Sequence, residues 1–208
     1  MKCGVLLKKK EKVAKEIKDF PNYETGNAYV YLDLKRETNL FVAFSVGKWT
    51  QNTCDEFYEL IAKRSQQPTY KNKIGFCTDC NKQNLPAITK HFHQDSVWYR
   101  QVVKEKEDQI IVGTHPRQVL GAMPFSEISI AHVDGLCSKL RARTGFFVRK
   151  TRNFAKRRKH IFNVLNIVQI NHNVIEDEKG ETPAMRERLT TKIWGWKDVF
   201  NVRLTFNI

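Results

Sequence analysis

The stretch NAYVYLDLKRETNLFVAFSVGK, residues 27–48, is the part of the sequence that decides the fold. Two runs rich in aromatic and β-branched residues, Ala28–Leu32 and Leu40–Val46, flank a polar segment at Asp33–Asn39. Residues of these types favour strands, and a short polar segment between two such runs is typical of a turn. The stretch therefore predicts a β-hairpin with Asp33 in its turn.

Further strands and helices are predicted on both sides of this hairpin. In chain order they are a strand at residues 3–7, a helix over Thr53–Arg64 capped by Thr53, a strand at Lys73–Cys77 followed by Thr78 and Asp79, a second hairpin over Trp98–Val112 with the KEKED segment as its turn, and helices over Ser129–Arg143 and Thr151–Asn171. The tail, which contains Trp194 and Trp196, is predicted to be loop-like. This order of elements predicts a mixed α/β sheet.

Composition narrows the class of protein. The 208 residues suffice for one sizeable core, or for one core and a small appendage. No apolar run approaches the roughly 20 residues that span a bilayer, and the short apolar run near the N-terminus does not have the form of a secretory signal. The five cysteines are odd in number and mostly isolated, which excludes a disulfide framework. We therefore expect a soluble, cytoplasmic protein.

Charge is the strongest compositional signal. The formal net charge is +14 and the pI is about 9.6. No acidic residue lies between Asp134 and Glu176, whereas ten lysines and arginines lie between Lys139 and Lys159. Such a segment repels itself unless an anion lies across it, and nucleic acid is the usual anion. A basic surface that serves solubility alone is the alternative.

Two acidic residues have positions that suit metal binding. Asp79 follows a short strand, where loops meet ligands. Asp134 lies on a predicted helix with Cys137 and Arg141 three and seven residues further on, which places all three on one face. Two carboxylates beside a basic surface can hold Mg²⁺ against phosphate oxygens.

Four segments, in order, resemble the DDE-type insertion-sequence transposases of the group related to insertion sequence one. They are the strand pair YVYLDLKRETNLFVAFSVGKWT, the Thr-Asp strand end in FCTDCNKQN, the helix and basic element HVDGLCSKLRARTGFFVRKTRNFAKR, and the tail TPAMRERLTTKIWGW. In the third segment Asp134 stands at the family's glutamate position, and Arg141 stands at the arginine seven residues later.

The resemblance implies a ribonuclease H-like mixed β-sheet flanked by helices, with a helical C-terminal extension. Residues 1–150 would form the core with a truncated first strand, and residues 151–208 would form a basic helix and a tail packed on that core. The implied activity is phosphodiester hydrolysis and strand transfer, with Mg²⁺ or Mn²⁺ held by the catalytic residues Asp79 and Asp134. The expected partners are DNA and a second copy of the chain or an intact transposase, with neither a membrane nor a small-molecule substrate. The predicted DNA-binding residues are Lys139, Arg141, Arg143, Arg149, Lys150, Arg152, Lys156, Arg157 and Arg158.

The chain departs from the family pattern at three positions. The family's first acid would lie at or just before Met1, and neither Asp33 in the turn nor Asp19 is expected to replace it. Asp134 is one methylene shorter than the family's glutamate, and Cys137 stands where the family has asparagine. The family's upstream zinc ribbon and helix-turn-helix are also missing from the sequence. We therefore expect impaired catalysis.

Other functions remain as alternatives. The first is a non-catalytic DNA-binding remnant, or an inhibitor of an intact transposase, and the second is a host nuclease of the same fold. Cys77 and Cys80 would form only half of a structural zinc site, because such sites usually have two cysteine pairs.

Overall fold

A computed structural model of the chain describes residues 2–7, 26–108, 110–122, 129–148, 153, 155 and 157–202, with the backbone alone for residues 2–7, 26 and 106. These residues form a mixed α/β structure with two three-stranded sheets and six α-helices. In chain order the elements are β1 (Lys2–Leu7), β2 (Gly26–Lys35), β3 (Leu40–Gly47), α1 (Gln51–Arg64), β4 (Ile74–Asp79), α2 (Asn84–His91), β5 (Val97–Glu107), β6 (Ile110–Leu120), α3 (Ala131–Arg143), α4 (Arg158–Ile170), α5 (Pro183–Arg186) and α6 (Trp196–Phe200). No helix in these ranges has the length and apolar character needed to cross a membrane.

The first sheet contains the predicted hairpin and has the order β1-β2-β3, with both pairs antiparallel. The prediction that Asp33 lies in the turn is wrong, because β2 continues to Lys35 and Asp33 pairs with Ala43. Leu34 packs on the core and so keeps the strand extended past a register shift between Asp33 and Leu34. The chain reverses only after Lys35, and Asn39 has a φ of 59° in the left-handed region that asparagine tolerates.

The second sheet has the order β4-β5-β6, with β4 and β5 parallel and β5 and β6 antiparallel. The predicted turn at KEKED is too early: β5 continues to Glu107, and Asp108, with a φ of 45°, belongs to the actual turn. Because the strands in this outer part of the hairpin are exposed to solvent, they tolerate charged side chains as readily as a turn does. A cross-strand contact of 3.0 Å between His115 Nδ1 and Glu105 Oε1 supports it.

The first sheet separates two apolar clusters, as the period of two in a strand requires. Val30 and Leu32 of β2 face one cluster, which includes side chains of α3 and α4. Tyr31 of β2 and Ala43 of β3 face the other, which includes side chains of α1, α2, β4 and β5. The sheet is therefore flanked by helices on both faces, and the second sheet lies on the side of α1.

The helix boundaries differ from the predicted ones. Helix α1 is capped by Thr50 and not by Thr53, since the Thr53 amide donates to Thr50 Oγ1 at 3.4 Å. The helix expected from Thr151 begins only at Arg158, and the predicted domain boundary at residue 150 lies outside the described residues. Ile161 and Leu165 of α4 belong to the same cluster as β2. The tail contains the short helices α5 and α6, so its description as loop-like is wrong.

Candidate DNA-binding surface and acidic pair

Asp79 is the last residue of β4, and its position is fixed by its neighbours. In the parallel register of the second sheet it pairs with Val102 of β5. The adjacent Thr78 is buried, and its hydroxyl lies 3.1 Å from the Tyr99 hydroxyl and accepts from the Asn84 amide at 2.9 Å. These buried hydrogen bonds anchor the end of the strand, so Asp79 is presented from a rigid support.

Asp134 lies in the first turn of α3 with its side chain 44% exposed. Its Oδ2 is 3.7 Å from Nζ of Lys104 on β5. Lys104 lies two residues beyond Val102, so it points to the same face of the second sheet as Val102 and its partner Asp79. Asp79 and Lys104, the ion-pair partner of Asp134, therefore lie on the same face of the second sheet.

This arrangement supplies part of a metal site. Carboxylate oxygens are the donors that Mg²⁺ and Mn²⁺ prefer, and Asp79 and Asp134 both offer them. The Lys104 ammonium, however, competes with a cation for Asp134. Within the described ranges, no three His, Cys, Asp or Glu residues come together in a group that could hold a metal. The donor set thus fits a metal ion only in part.

Cys137 and Arg141, which follow Asp134 by three and seven residues, differ in how deeply they are buried. Cys137 was predicted to share its face, but it is fully buried in the core between Leu136 and Leu140. A step of three residues turns a helix by about 300°, which leaves Cys137 on the core side of α3. Arg141 is half-buried further along the helix. Cys137 therefore does not line the surface beside Asp134.

Two of the three predicted DNA-binding residues on α3, Lys139 and Arg143, are neutralised within the chain. Lys139 Nζ lies 2.6 Å from Glu176 Oε2, and the Arg143 guanidinium is also bonded to the Glu176 carboxylate. A π-helical turn at Asn171–Ile175 brings Glu176 to this position. Burial lowers the pKa of Lys139. Glu176 thus offsets part of the positive charge of the basic segment.

The basic side chains at the start of α4 differ from Lys139 and Arg143 in their surroundings. Arg157, Arg158 and Lys159 are all exposed, and none of them forms an ion pair with another residue of the described structure. Arg157 occupies the N-cap position without a side-chain cap, so no side chain caps the amides of Arg158 and Lys159, whereas the His160 amide donates to the Arg157 carbonyl oxygen at 3.1 Å. The other predicted DNA-binding residues, Arg149, Lys150, Arg152 and Lys156, lie outside the described residues.

Asp33 is the acidic residue whose position sequence reasoning missed. It lines a cavity together with Cys77 and Thr78 of β4, and burial raises the pKa of its carboxyl to about 6. Burial also raises the pKa of Tyr58, and the nearby ionisable groups of Tyr99, Cys54, Asp33 and Asp79 raise it further. The sequence signal was the alternation Tyr31, Asp33, which places both residues on the same face of one strand.

The Cys77 and Cys80 pair differs in environment. Cys77 is half-buried beside the Asp33 cavity, and burial raises the pKa of its thiol. Cys80 is exposed, and its Sγ lies 3.5 Å from the Val102 carbonyl oxygen. Both thiols are free, and in the described structure they join no metal-binding group.

Comparisons of the chain with protein families, with curated proteins and with solved structures give no match. Any assignment of function therefore depends on the residues and geometry described above.

Proposed function

We propose that the chain is a DNA-binding protein of the DDE transposase type, with a ribonuclease H-like arrangement of its strands and helices. On this proposal it acts on the phosphodiester backbone of an insertion sequence, by hydrolysis and strand transfer, with impaired catalysis. The mixed α/β structure, with helices on both faces of the first sheet, is compatible with that fold. Asp79 and Lys104, the ion-pair partner of Asp134, share one face of the second sheet, which is compatible with that chemistry.

The observation that carries the proposal is the exposed basic group at the start of α4. Arg157, Arg158 and Lys159 lie side by side on the surface without a carboxylate partner in the described structure. Three clustered cations are self-repulsive, and binding of a phosphate backbone relieves that repulsion while releasing counterions. The amides of Arg158 and Lys159, which no side chain caps, add donors that suit phosphate oxygens.

In the proposed reaction Asp79 and Asp134 would hold the metal, and the basic group would position the DNA. A bound Mg²⁺ or Mn²⁺ would supply charge stabilisation and activation of the attacking oxygen. Asp79 contributes from a rigid strand end, whereas Asp134 is partly neutralised by Lys104. Aspartate also reaches less far than the glutamate of the family, and a misplacement of about 1 Å can cost on the order of a hundredfold in rate. The expected activity is therefore weak.

A second candidate function is a non-catalytic DNA-binding module that inhibits an intact transposase by mixed assembly. The contact of 3.7 Å between Lys104 and Asp134 favours it, because it places a cation where a metal ion would bind. The same contact leaves the DNA-binding surface untouched, so both candidates predict DNA binding and differ only in cleavage.

The salt dependence of DNA binding tests the proposal. Each phosphate contact contributes about −0.9 to the slope of log K against log salt concentration, so replacing Arg157, Arg158 and Lys159 by alanine should flatten the slope by up to about 2.7. The matched control is the double variant Lys139→Ala/Arg143→Ala, which removes cations already bonded to Glu176 and should change the slope by less than one contact. Equal slopes in the triple variant and the unaltered chain would refute the proposed surface.

A further inference from the structure

Trp49 is a large aromatic side chain that is held in place on the surface. It lies between the end of β3 and the start of α1, and it is 52% exposed to solvent. Its indole Nε1–H donates to Oδ1 of the buried Asn81 at 3.1 Å. The Tyr29 ring packs against it with 5.6 Å between ring centroids and 56° between ring planes, so Tyr29 does not lie flat over the indole. The polar atom of the side chain is therefore bonded within the protein, and apolar ring surface remains in contact with water.

The backbone around Trp49 is fixed by further hydrogen bonds. Gln83 Nε2 donates to the Trp49 carbonyl oxygen at 3.3 Å, and Gln83 Oε1 accepts from the Tyr31 hydroxyl at 3.0 Å. On the other side of Trp49, the Thr50 hydroxyl caps α1. These contacts join the loop after β3 to the loop after β4. Because the indole ring is positioned in advance, a ligand that stacks on it orders little of the protein on binding.

The surroundings of Trp49 are basic and lie beside a candidate metal ligand. Lys48 directly precedes Trp49, and the exposed Lys82 directly follows Asn81. Asp79 lies two residues before Asn81, so the Cα atoms of these two residues are at most about 7 Å apart. A nucleotide on Trp49 would therefore have two cations near its phosphates and would lie beside the Asp79 carboxylate.

A fixed and exposed aromatic ring among cations suits an unpaired nucleic-acid base. Every base has a flat face that stacks on an aromatic ring, whereas the bases of a duplex already stack on one another. The net charge of +14 attracts a polyanion, which favours DNA over an apolar protein surface as the partner. The amides of Asn81 and Gln83 are bonded within the chain, so they do not read the edge of a base. Stacking alone accepts any base.

We propose that Trp49 is a stacking platform for an unpaired base of single-stranded DNA, with Lys48 and Lys82 placed for the flanking phosphates. This inference rests on the proposed DNA binding, and it narrows the substrate to DNA that has an unpaired base beside Asp79. The platform differs from the basic group at the start of α4, which contacts the phosphates of paired and unpaired DNA alike. The identity of the stacked base does not affect binding.

Fluorescence anisotropy with two labelled DNAs and the full chain tests the proposal. One is an oligothymidylate of about 20 nucleotides, which stays unpaired, and the other is a duplex of similar length. Trp49→Ala should weaken binding of the oligothymidylate by about 5- to 150-fold, the loss expected for one stacked base, and should change duplex binding by less than about twofold. Trp49→Phe keeps an aromatic ring and should retain most of the affinity. The control Trp196→Ala removes another exposed indole, on α6, and should leave both affinities unchanged.

Tryptophan fluorescence supplies a readout other than affinity. Unlabelled oligothymidylate should quench the emission of the unaltered chain, and most of this quenching should disappear in Trp49→Phe, because a stacked base lies directly on the emitting ring. Quenching that survives in Trp49→Phe would overturn the proposal. So would a Trp49→Ala variant that binds the oligothymidylate as tightly as the unaltered chain, or that loses affinity for both DNAs equally. An unaltered chain that binds neither DNA would instead refute the proposed function itself.

Discussion

Replacing Asp33 by asparagine should stabilise the protein at neutral and alkaline pH. The carboxyl of Asp33 has its pKa raised from 3.8 to about 6 by burial beside β4. A folded-state pKa above the unfolded value means that the folded chain holds the proton more tightly. The stability linked to this group is therefore complete below about pH 4 and is lost as the pH rises through about 6. Asparagine cannot ionise and avoids that loss.

The size of the effect follows from the shift. A difference of roughly two pKa units corresponds to about 3 kcal/mol in the free energy of unfolding for a fully buried group. The Asp33 side chain is half-buried and therefore still in contact with water. Solvent screening reduces the expected gain to about 1–2 kcal/mol. This gain should be present at about pH 8 and should shrink towards zero at about pH 4.

Urea unfolding followed by tryptophan fluorescence at several pH values measures this difference. The control variant is Asp95→Asn, since the Asp95 side chain is 81% exposed and its replacement should change the free energy of unfolding by less than about 0.5 kcal/mol. The reasoning is refuted if Asp33→Asn leaves stability unchanged at about pH 8, or if its stabilising effect grows as the pH falls.

Two other variants probe the basic segment and the core. Glu176→Gln removes the carboxylate that pairs with Lys139 and Arg143, so both cations become free to contact DNA. The slope of log K against log salt concentration, measured by anisotropy titration, should steepen by up to about 1.8. An unchanged slope would show that neither cation reaches DNA. Ile161→Ala leaves a cavity at a fully buried position between α4 and the first sheet. Urea unfolding should show that the free energy of unfolding falls by about 2–5 kcal/mol. A fall of less than about 1 kcal/mol would mean that α4 is not part of the core.

Local sequence signals were enough to predict most strands and helices. The runs of aromatic and β-branched residues at Ala28–Leu32 and Leu40–Val46 predicted a hairpin that the structure confirms. The boundaries were wrong where tertiary contacts decide them. Asp33 stays in β2 because Leu34 beyond it packs on the core, a contact that the polar character of the segment conceals.

The candidate site was predictable only in its parts. Asp79 at a strand end and Asp134 on a helix followed from local patterns, and the structure places Asp79 on the same face of the second sheet as Lys104, the ion-pair partner of Asp134. The ion pair of Lys104 with Asp134 joins residues 30 positions apart, and Glu176 reaches Lys139 across 37 positions. Neither pairing follows a helical or strand period, so the sequence held no signal for them.

The most direct test measures DNA binding and DNA cleavage in the same reaction. The full chain is mixed with supercoiled plasmid and Mn²⁺ at about 50 mM salt, where phosphate contacts are strong, and the products are separated by electrophoresis with and without protein removal. We predict that the plasmid is retarded but stays supercoiled, with at most weak nicking that Asp79→Ala abolishes. Plasmid that is not retarded at this salt concentration would contradict the account. So would efficient nicking, dependent on Asp79, because the described residues supply only two of the carboxylates that a complete site requires.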